Sequence, residues 1–277
     1  MEGPACATMS RGRGVPGREG IMSTKTGESK THLLERSIED VAARANQEFC
    51  EVADFIWKTP RLIASERELE LTKLDEYFPC DPQSRAIRWD IESAKIDQVF
   101  PSLIAMGNLF VLLSLFEKHV LLLSTVLSNH TSVLLADIKG NGFDRLIEFF
   151  RKVGIATAEL HLHEQVKTAF KIRNCLIHAS GVLECSRDSD SLREIVKSGK
   201  YLSPLHRAAS RKQGGENDDV YIQEQTTAIG SQLVIRNDYC HILCSYLMSY
   251  FTELCRAAGQ VISNDTLYGA LRSPGLR

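Results

Sequence analysis

From Thr31 onward, apolar residues recur at three-to-four spacing: Leu33, Leu34, Ile38, Val41, Ala42 and Phe49, with polar residues between them. That is the period of an amphipathic helix. It predicts a helix from residue 31 to about Trp57, closing before Pro60, because an interior proline removes a backbone donor and crowds the preceding turn. The period is lost over residues 58–93. There Pro79-Cys80-Asp81-Pro82 predicts a turn, preceded by a short helix in SERELELTKLDEYF. Leu103 to Leu127 is nearly continuous in hydrophobicity and predicts a central helix that opens near Pro101, a residue suited to a first turn, and ends around Asn129. Glu117, Lys118 and His119 interrupt the run, and the stretch before them is shorter than the roughly 18 residues a bilayer span needs. A buried core helix, not a membrane span, is the expectation.

Lys139-Gly140-Asn141-Gly142 predicts a turn, and FDRLIEFFRKVG a short amphipathic helix stopped at Gly154. Another helix is expected from about Thr157 to Ser180, ending at Gly181. Residues 184–218 are charged and contain glycine (SRDSDS, SRKQGGENDD), which predicts a mobile excursion. Val220 to Gln225 and Gln232 to Ile235 alternate as two short strands around Ile229-Gly230. Asp238 is placed to cap a last helix through Ala257, with Ile242, Leu243, Tyr246, Leu247, Tyr250, Phe251 and Leu254 on one face. No repeat of fixed period is present, which removes solenoids. The expected architecture is mostly α: one helical bundle over 31–258 with a small β-hairpin inserted before the last helix. A disordered leader (1–30, shorter if Met22 is the initiator) and a frayed tail (259–277) flank it.

The 277 residues are 43% hydrophobic and 25% charged, ordinary globular values that allow a sizeable core. A net charge of -2 excludes a general DNA coater, so any nucleic-acid contact must come from a local basic patch. The eight cysteines form no Cys-x-x-Cys and read as thiols of a reducing compartment. Cys240 and Cys244 share a helix face and read as small core residues rather than half a zinc site. The first twenty residues lack the apolar centre of a secretion signal, so the cytoplasm is the expected location. His161 and His163 would point about 200° apart on a helix and do not suit one metal ion. There is no Walker A loop, dinucleotide-binding glycine pattern or Gly-x-Ser-x-Gly elbow, and no metal or cofactor is expected.

At about 100° per residue, His163, Lys167, Lys171, Asn174 and His178 fall within one sector of about 80°. Leu162, Val166, Ala169, Ile172 and Leu176 take the opposing one. Arg173 is the exception, because it projects among the apolar positions. An unpaired guanidinium there costs several kcal/mol, so it must reach an edge or meet a carboxylate or phosphate. Two readings are open: a structural arginine at a helix seam, paired with Glu117 or another acid, or an anion ligand. His178 on its own is equally a helix cap or a core residue.

The segment Phe170-Lys171-Ile172-Arg173-Asn174-Cys175-Leu176-Ile177-His178-Ala179-Ser180-Gly181 resembles the signature of the HEPN family, in the form Arg-Asn-x-x-x-His at a helix C-terminus. The likeness covers about a dozen residues in motif and residues 31–257 in layout. It implies a symmetric homodimer in which two motif helices face a shared cleft. It also implies a metal-independent endoribonuclease acting on RNA in a toxin-antitoxin, abortive-infection or other defence setting, with an antitoxin protein as a partner. His178 would transfer protons, Arg173 would stabilise the charged phosphorane, and Asn174 would orient phosphate or imidazole. The products would carry 2',3'-cyclic phosphate and 5'-hydroxyl ends. Glu117 or Ser114 would supply the acidic or hydroxyl residue that family members carry on an earlier helix. Lys167 and Lys171 read either as flanking phosphate contacts or as solvated lysines. Two rivals stand beside this: a non-catalytic HEPN-like dimer that binds RNA, a nucleotide or a protein, and a purely structural helical dimer.

Overall fold

The computed structural model describes the backbone of residues 30–212 and 221–272 and the side chains of 31–209 and 221–263. The leader short of Lys30, the end of the tail from 273 and residues 213–220 lie outside it. The first helix, α1, spans Lys30–Tyr77 with Pro60 inside it. The break expected before Pro60 and the separate short helix after it are therefore corrected to one continuous element. The reason is tertiary: proline leaves the Ile56 carbonyl without its helical donor, and Asn237 donates its side-chain amide to that oxygen at 3.1 Å. Asn108, itself buried, donates to the Asn237 Oδ1 at 2.7 Å.

A turn at 78–81 follows where Pro79-Cys80-Asp81-Pro82 placed it, and Asp81 caps α2 (Pro82–Ala94) by accepting from the Ser84 N–H. One π turn, Lys95–Val99, carries α2 into α3 (Phe100–Ser128). Pro101 therefore marks a change of pitch inside a longer helix rather than its start. Phe100 N–H reaches back to the Lys95 carbonyl, and the widened turn accommodates a next residue that has no N–H to give. The second half of α1 and α2 make a two-helix arm, held by the Arg67–Asp97 and Arg85–Asp75 ion pairs and by Arg67 lying 5.1 Å over the Trp89 ring.

The next helix, α4 (Gly142–Val153), stops at Gly154, whose φ of 99° suits glycine alone. The motif helix α5 (His163–His178) comes after it. Residues 184–212, expected to be an excursion, fold into a short turn at Leu183–Cys185, α6 (Ser189–Ser198) and α7 (Pro204–Lys212). Leu192, Ile195, Tyr201 and Leu202 are all buried there. Those four anchors are sparse among many charges, which hid them from a composition-based reading. Strands β1 (Ile222–Thr227) and β2 (Gly230–Ile235) pair antiparallel through the expected turn. The last helix, α8 (Asn237–Arg272), begins one residue before Asp238 and runs well past Ala257, because Ala258 and Ile262 still bury against the core. The molecule is mostly helical, with a small antiparallel hairpin before its last helix.

The core lies between α1, α3 and α8, with Phe49, Ile56, Leu109, Leu112, Phe116, Tyr239 and Tyr250 among its fully buried side chains. Phe116 is its hub, with ring centroids 6.0–6.4 Å from Phe143, Phe170, Tyr250 and Phe251. Cys240 and Cys244 face the same core. Their thiols donate to the Ala105 and Phe49 carbonyls, and burial pushes them up to about 12 and about 11. The stretch Pro82–Ser128 is long and apolar enough by composition to cross a membrane, and only 33% of its most apolar window is buried.

Two predictions follow from these buried polar groups. Asn237→Ala orphans the Ile56 carbonyl and the Asn108 amide, so chemical denaturation should show a loss of about 1–3 kcal/mol. In a Pro60→Ala background, where a backbone N–H again serves Ile56, the loss should be smaller; equal losses in both backgrounds would refute this role for Asn237. His119 is fully buried between the Phe49 and Phe251 rings. Its Nε2 lies 3.1 Å from Glu48, and its Nδ1 has no hydrogen-bond partner among the described residues. Desolvation holds its pKa below the ordinary histidine value despite the pull of Glu48. As pH falls through about 6.5, the unfolded chain takes up a proton that the folded chain resists, so stability declines. His119→Gln should flatten the pH dependence of Tm between pH 7 and 5; an unchanged slope would discount His119 as its source.

Candidate functional site

Helix α5 is set by its two ends. It does not begin at Thr157, where a short 3-10 turn lies (Thr157–Glu159). Leu162 adopts a left-handed conformation (φ 67°) and the helix starts at His163. The entry is fastened by His161 N–H, which donates to the Glu253 carboxylate at 2.8 Å. The exit is the Ala-Ser-Gly run. Ser180 and Gly181 turn left-handed (φ 52° and 78°), and Gly181 N–H closes back on the Cys175 carbonyl at 3.1 Å. Leu233 N–H then donates to the Gly181 carbonyl at 2.8 Å, tying the helix end to β2. A Cβ on Gly181 would lie 3.3 Å from the Leu233 carbonyl, so glycine permits this close approach.

Val166, Ala169, Phe170, Ile172, Cys175 and Leu176 form the buried face of α5. Phe170 stacks on Phe143 at 4.3 Å and 7°, which holds the N-terminus of α4 against α5. Between them opens a cavity of about 850 Å³. One wall carries Lys167, Lys171, Arg173, Asn174 and His178. The opposite wall is the start of α4, at Asn141, Gly142 and Asp144, and a third is the turn Cys185-Ser186-Arg187-Asp188. The Asn141 side chain makes no capping hydrogen bond to α4, whose first turn carries Asp144, so backbone N–H groups and the positive end of the dipole at its start favour an anion. Four basic side chains line the cavity against two carboxylates, although the chain as a whole is slightly acidic.

Lys167, Lys171, Asn174 and His178 are thus brought together as their shared helix sector implied, and Arg173, the exception to that sector, reaches the same cavity. Arg173 is half-buried and donates to Asn174 Oδ1 at 3.3 Å, while Asn174 and His178 are exposed. Lys171 donates to Ser191 Oγ at 3.0 Å and lies 3.8 Å from Asp188. His163 is not with them. It is buried against α8, with Nδ1 3.1 Å from the Tyr250 hydroxyl, and desolvation lowers its pKa. Angular projection assigned its sector correctly but cannot see the helix that covers it. Ser114 is exposed on α3 and does not line the cavity. Glu117 also lies outside the lining and makes no ion pair with Arg173, yet the two interact: burial pushes the Glu117 carboxyl up, and the Arg173 charge pulls it part of the way back.

Three parts of the site were not anticipated from sequence: the α4 N-terminus, Arg187 and Asp188. The first carried a readable signal, the Asn-Gly turn ahead of an amphipathic helix. Arg187 and Asp188 were indistinguishable from the solvated charges around them. Comparisons with family models, with curated proteins and with solved structures each return no match.

Glu117 offers a test of the electrostatics behind Arg173. Its folded-state pKa is raised, so its ionised form destabilises the fold above the ordinary carboxylate range and has no such effect once pH falls below it. Glu117→Gln should raise Tm at pH 7.5, and the gain should vanish near pH 4. A loss at pH 7.5 would instead make Glu117 a stabilising partner of Arg173.

Proposed function

We propose that this chain is a metal-independent endoribonuclease of the HEPN type, working as a pair of copies. The observation that carries the reading is the shared cavity. It gathers the Arg-Asn-x-x-x-His residues and two lysines on one wall and faces them with an uncapped helix N-terminus. Its volume is that of an ordinary small-ligand site, adequate for a nucleotide and its phosphate. Supporting residues outside the motif are consistent with phosphate recognition: Lys167 and Arg187 reach the cavity from two elements.

In this reading the phosphodiester lies between α5 and α4. The imidazole of His178 removes the proton from the ribose 2'-hydroxyl, whose oxygen attacks the adjacent phosphorus. The bond from phosphorus to the 5'-oxygen breaks, and that oxygen takes a proton from the imidazolium of a second copy. Arg173 presents its fork of donors to the phosphorane oxygens, where charge accumulates. Asn174, bonded to Arg173, positions the guanidinium. The products are a 2',3'-cyclic phosphate and a 5'-hydroxyl. Glu117 tunes the field behind Arg173 without touching substrate. The cytoplasmic, toxin or defence setting and the antitoxin partner come from the motif resemblance alone.

The test is cleavage of RNA by the full chain in EDTA, with product ends identified. His178→Ala and Arg173→Ala should each lower the rate by about a hundredfold or more while helicity is retained. Lys167→Ala should weaken RNA binding with less effect on the bound-state rate. Cleavage that survives both motif substitutions refutes the proposal. RNA binding without cleavage, equally strong in wild type and His178→Ala, transfers the site to a binding module.

A further inference from the structure

A second cavity, of about 520 Å³, adjoins the first across α5. Lys167 and Lys171 line both and stand one turn apart on the ridge between them. At about 100° per residue, Phe170, Arg173 and Asn174 fall on one side of that pair, and Gln165 and Thr168 on the other. The far wall belongs to α6, α7 and the turn that joins them, through Glu194, Lys200 and Arg207. That wall is held in place. Gln165 donates its amide to the Lys200 and Leu202 carbonyls, each at 3.4 Å. Ser203, at the entry to α7, donates its N–H to the Tyr246 hydroxyl at 2.9 Å and accepts the His206 N–H on its Oγ at 3.3 Å. Gly199 turns left-handed (φ 66°), and the Arg207 stem passes over it: an added Cβ would lie 3.5 Å from Arg207 Cδ.

Charge points to the ligand of this cavity. Lys167, Lys171, Lys200 and Arg207 line it against the carboxylates of Glu164 and Glu194. Glu194 already meets Lys200 at 3.4 Å, and Glu164 lies in the first turn of α5, where the positive end of the helix dipole favours it. Among the described residues, Lys167 and Arg207 form no ion pair. We propose that the second cavity binds phosphates of a single RNA strand that leaves the first cavity over the Lys167–Lys171 ridge, with Lys200 and Arg207 as its contacts. The inference rests on the ribonuclease reading for what fills the first cavity, and it names the substrate of that site as unpaired RNA several nucleotides long. Length follows from position. Lys167 and His178 are separated by roughly 16 Å along α5. A strand stacked at about 3.4 Å per nucleotide takes about five steps to cover that distance, and a dinucleotide drawn out to twice the spacing still falls short. Strandedness follows from shape. The two cavities are recesses on either side of one helix, so a convex duplex rests on their rims, whereas an unpaired strand bends over the ridge and enters both.

The experiment measures binding of the full chain, in EDTA, to a fluorescently labelled octanucleotide and dinucleotide of RNA, both 2'-O-methylated so that neither can be cleaved. Wild type should bind the octanucleotide about tenfold more tightly or better, and Lys200→Ala/Arg207→Ala should remove that gain. The double variant should also lower the salt slope of octanucleotide binding by about 1.4, from two phosphate contacts at about 0.7 each. Arg85→Ala/Arg88→Ala removes the same charge from α2, in the arm, and should bind as wild type does. If the double alanine variant loses helicity, Lys200→Gln/Arg207→Gln replaces it. Cleavage is a separate readout. Where wild type cuts an unmodified octanucleotide, the double variant should raise KM and keep kcat; where wild type cuts nothing, the ribonuclease reading fails and binding still decides this inference. It is overturned by an octanucleotide that binds no more tightly than the dinucleotide, by a double variant that binds as wild type does, or by a duplex of the same length that binds equally well.

Discussion

Three long helices share one short chain of amides, and much else in the molecule follows from it. Pro60 opens a gap in the α1 ladder at Ile56, Asn237 at the start of α8 fills that gap, and Asn108 on α3 saturates Asn237. Buried amides are costly unless every donor and acceptor is satisfied, so this chain is tolerated at one relative placement of α1, α3 and α8. That placement lets α1 continue past its proline into the arm. It also seats the hairpin, which ends immediately before Asn237, over the exit of α5.

The aromatic hub built on that frame positions the cavity. Phe116 meets Phe143 and Phe170, the two rings that stack between α4 and α5. The gap between an anion-favouring helix start and a basic helix face is therefore fixed by core packing rather than by loop conformation. The backbone around the motif is equally constrained: left-handed residues bound α5 on both sides, and β2 holds its C-terminal exit. His178, in the last turn, thereby projects into the cavity from a rigid support, as a proton-transfer group in the proposed reaction requires.

The electrostatics of the site run against those of the chain. A slightly acidic protein concentrates Lys167, Lys171, Arg173 and Arg187 around one cavity, the local arrangement that phosphate recognition calls for. Arg173 resolves the oddity of a cation on an apolar helix sector by reaching the cavity edge and bonding Asn174 instead of pairing with Glu117. Glu117 in turn keeps a partly buried carboxyl within reach of that charge.

Local signals, the hydrophobic period together with turn residues and the angular repeat of a helix, were enough to determine that the chain is mostly helical, that a hairpin precedes the last helix, that Gly154 ends its helix, and that Lys167, Lys171, Asn174 and His178 share a face. These properties depend on residues within one or two turns of each other, which a sequence displays directly. Tertiary structure decided the rest. Pro60 reads as a helix end unless a donor arrives from residue 237, and Pro101 reads as a start unless the preceding turn widens. His163 reads as surface until α8 covers it. Residues 184–212 read as solvated until Leu192, Ile195, Tyr201 and Leu202 find the core. Each depends on a partner far along the chain, and the pattern of polar and apolar residues encodes how a segment would fold without naming the segment it will meet.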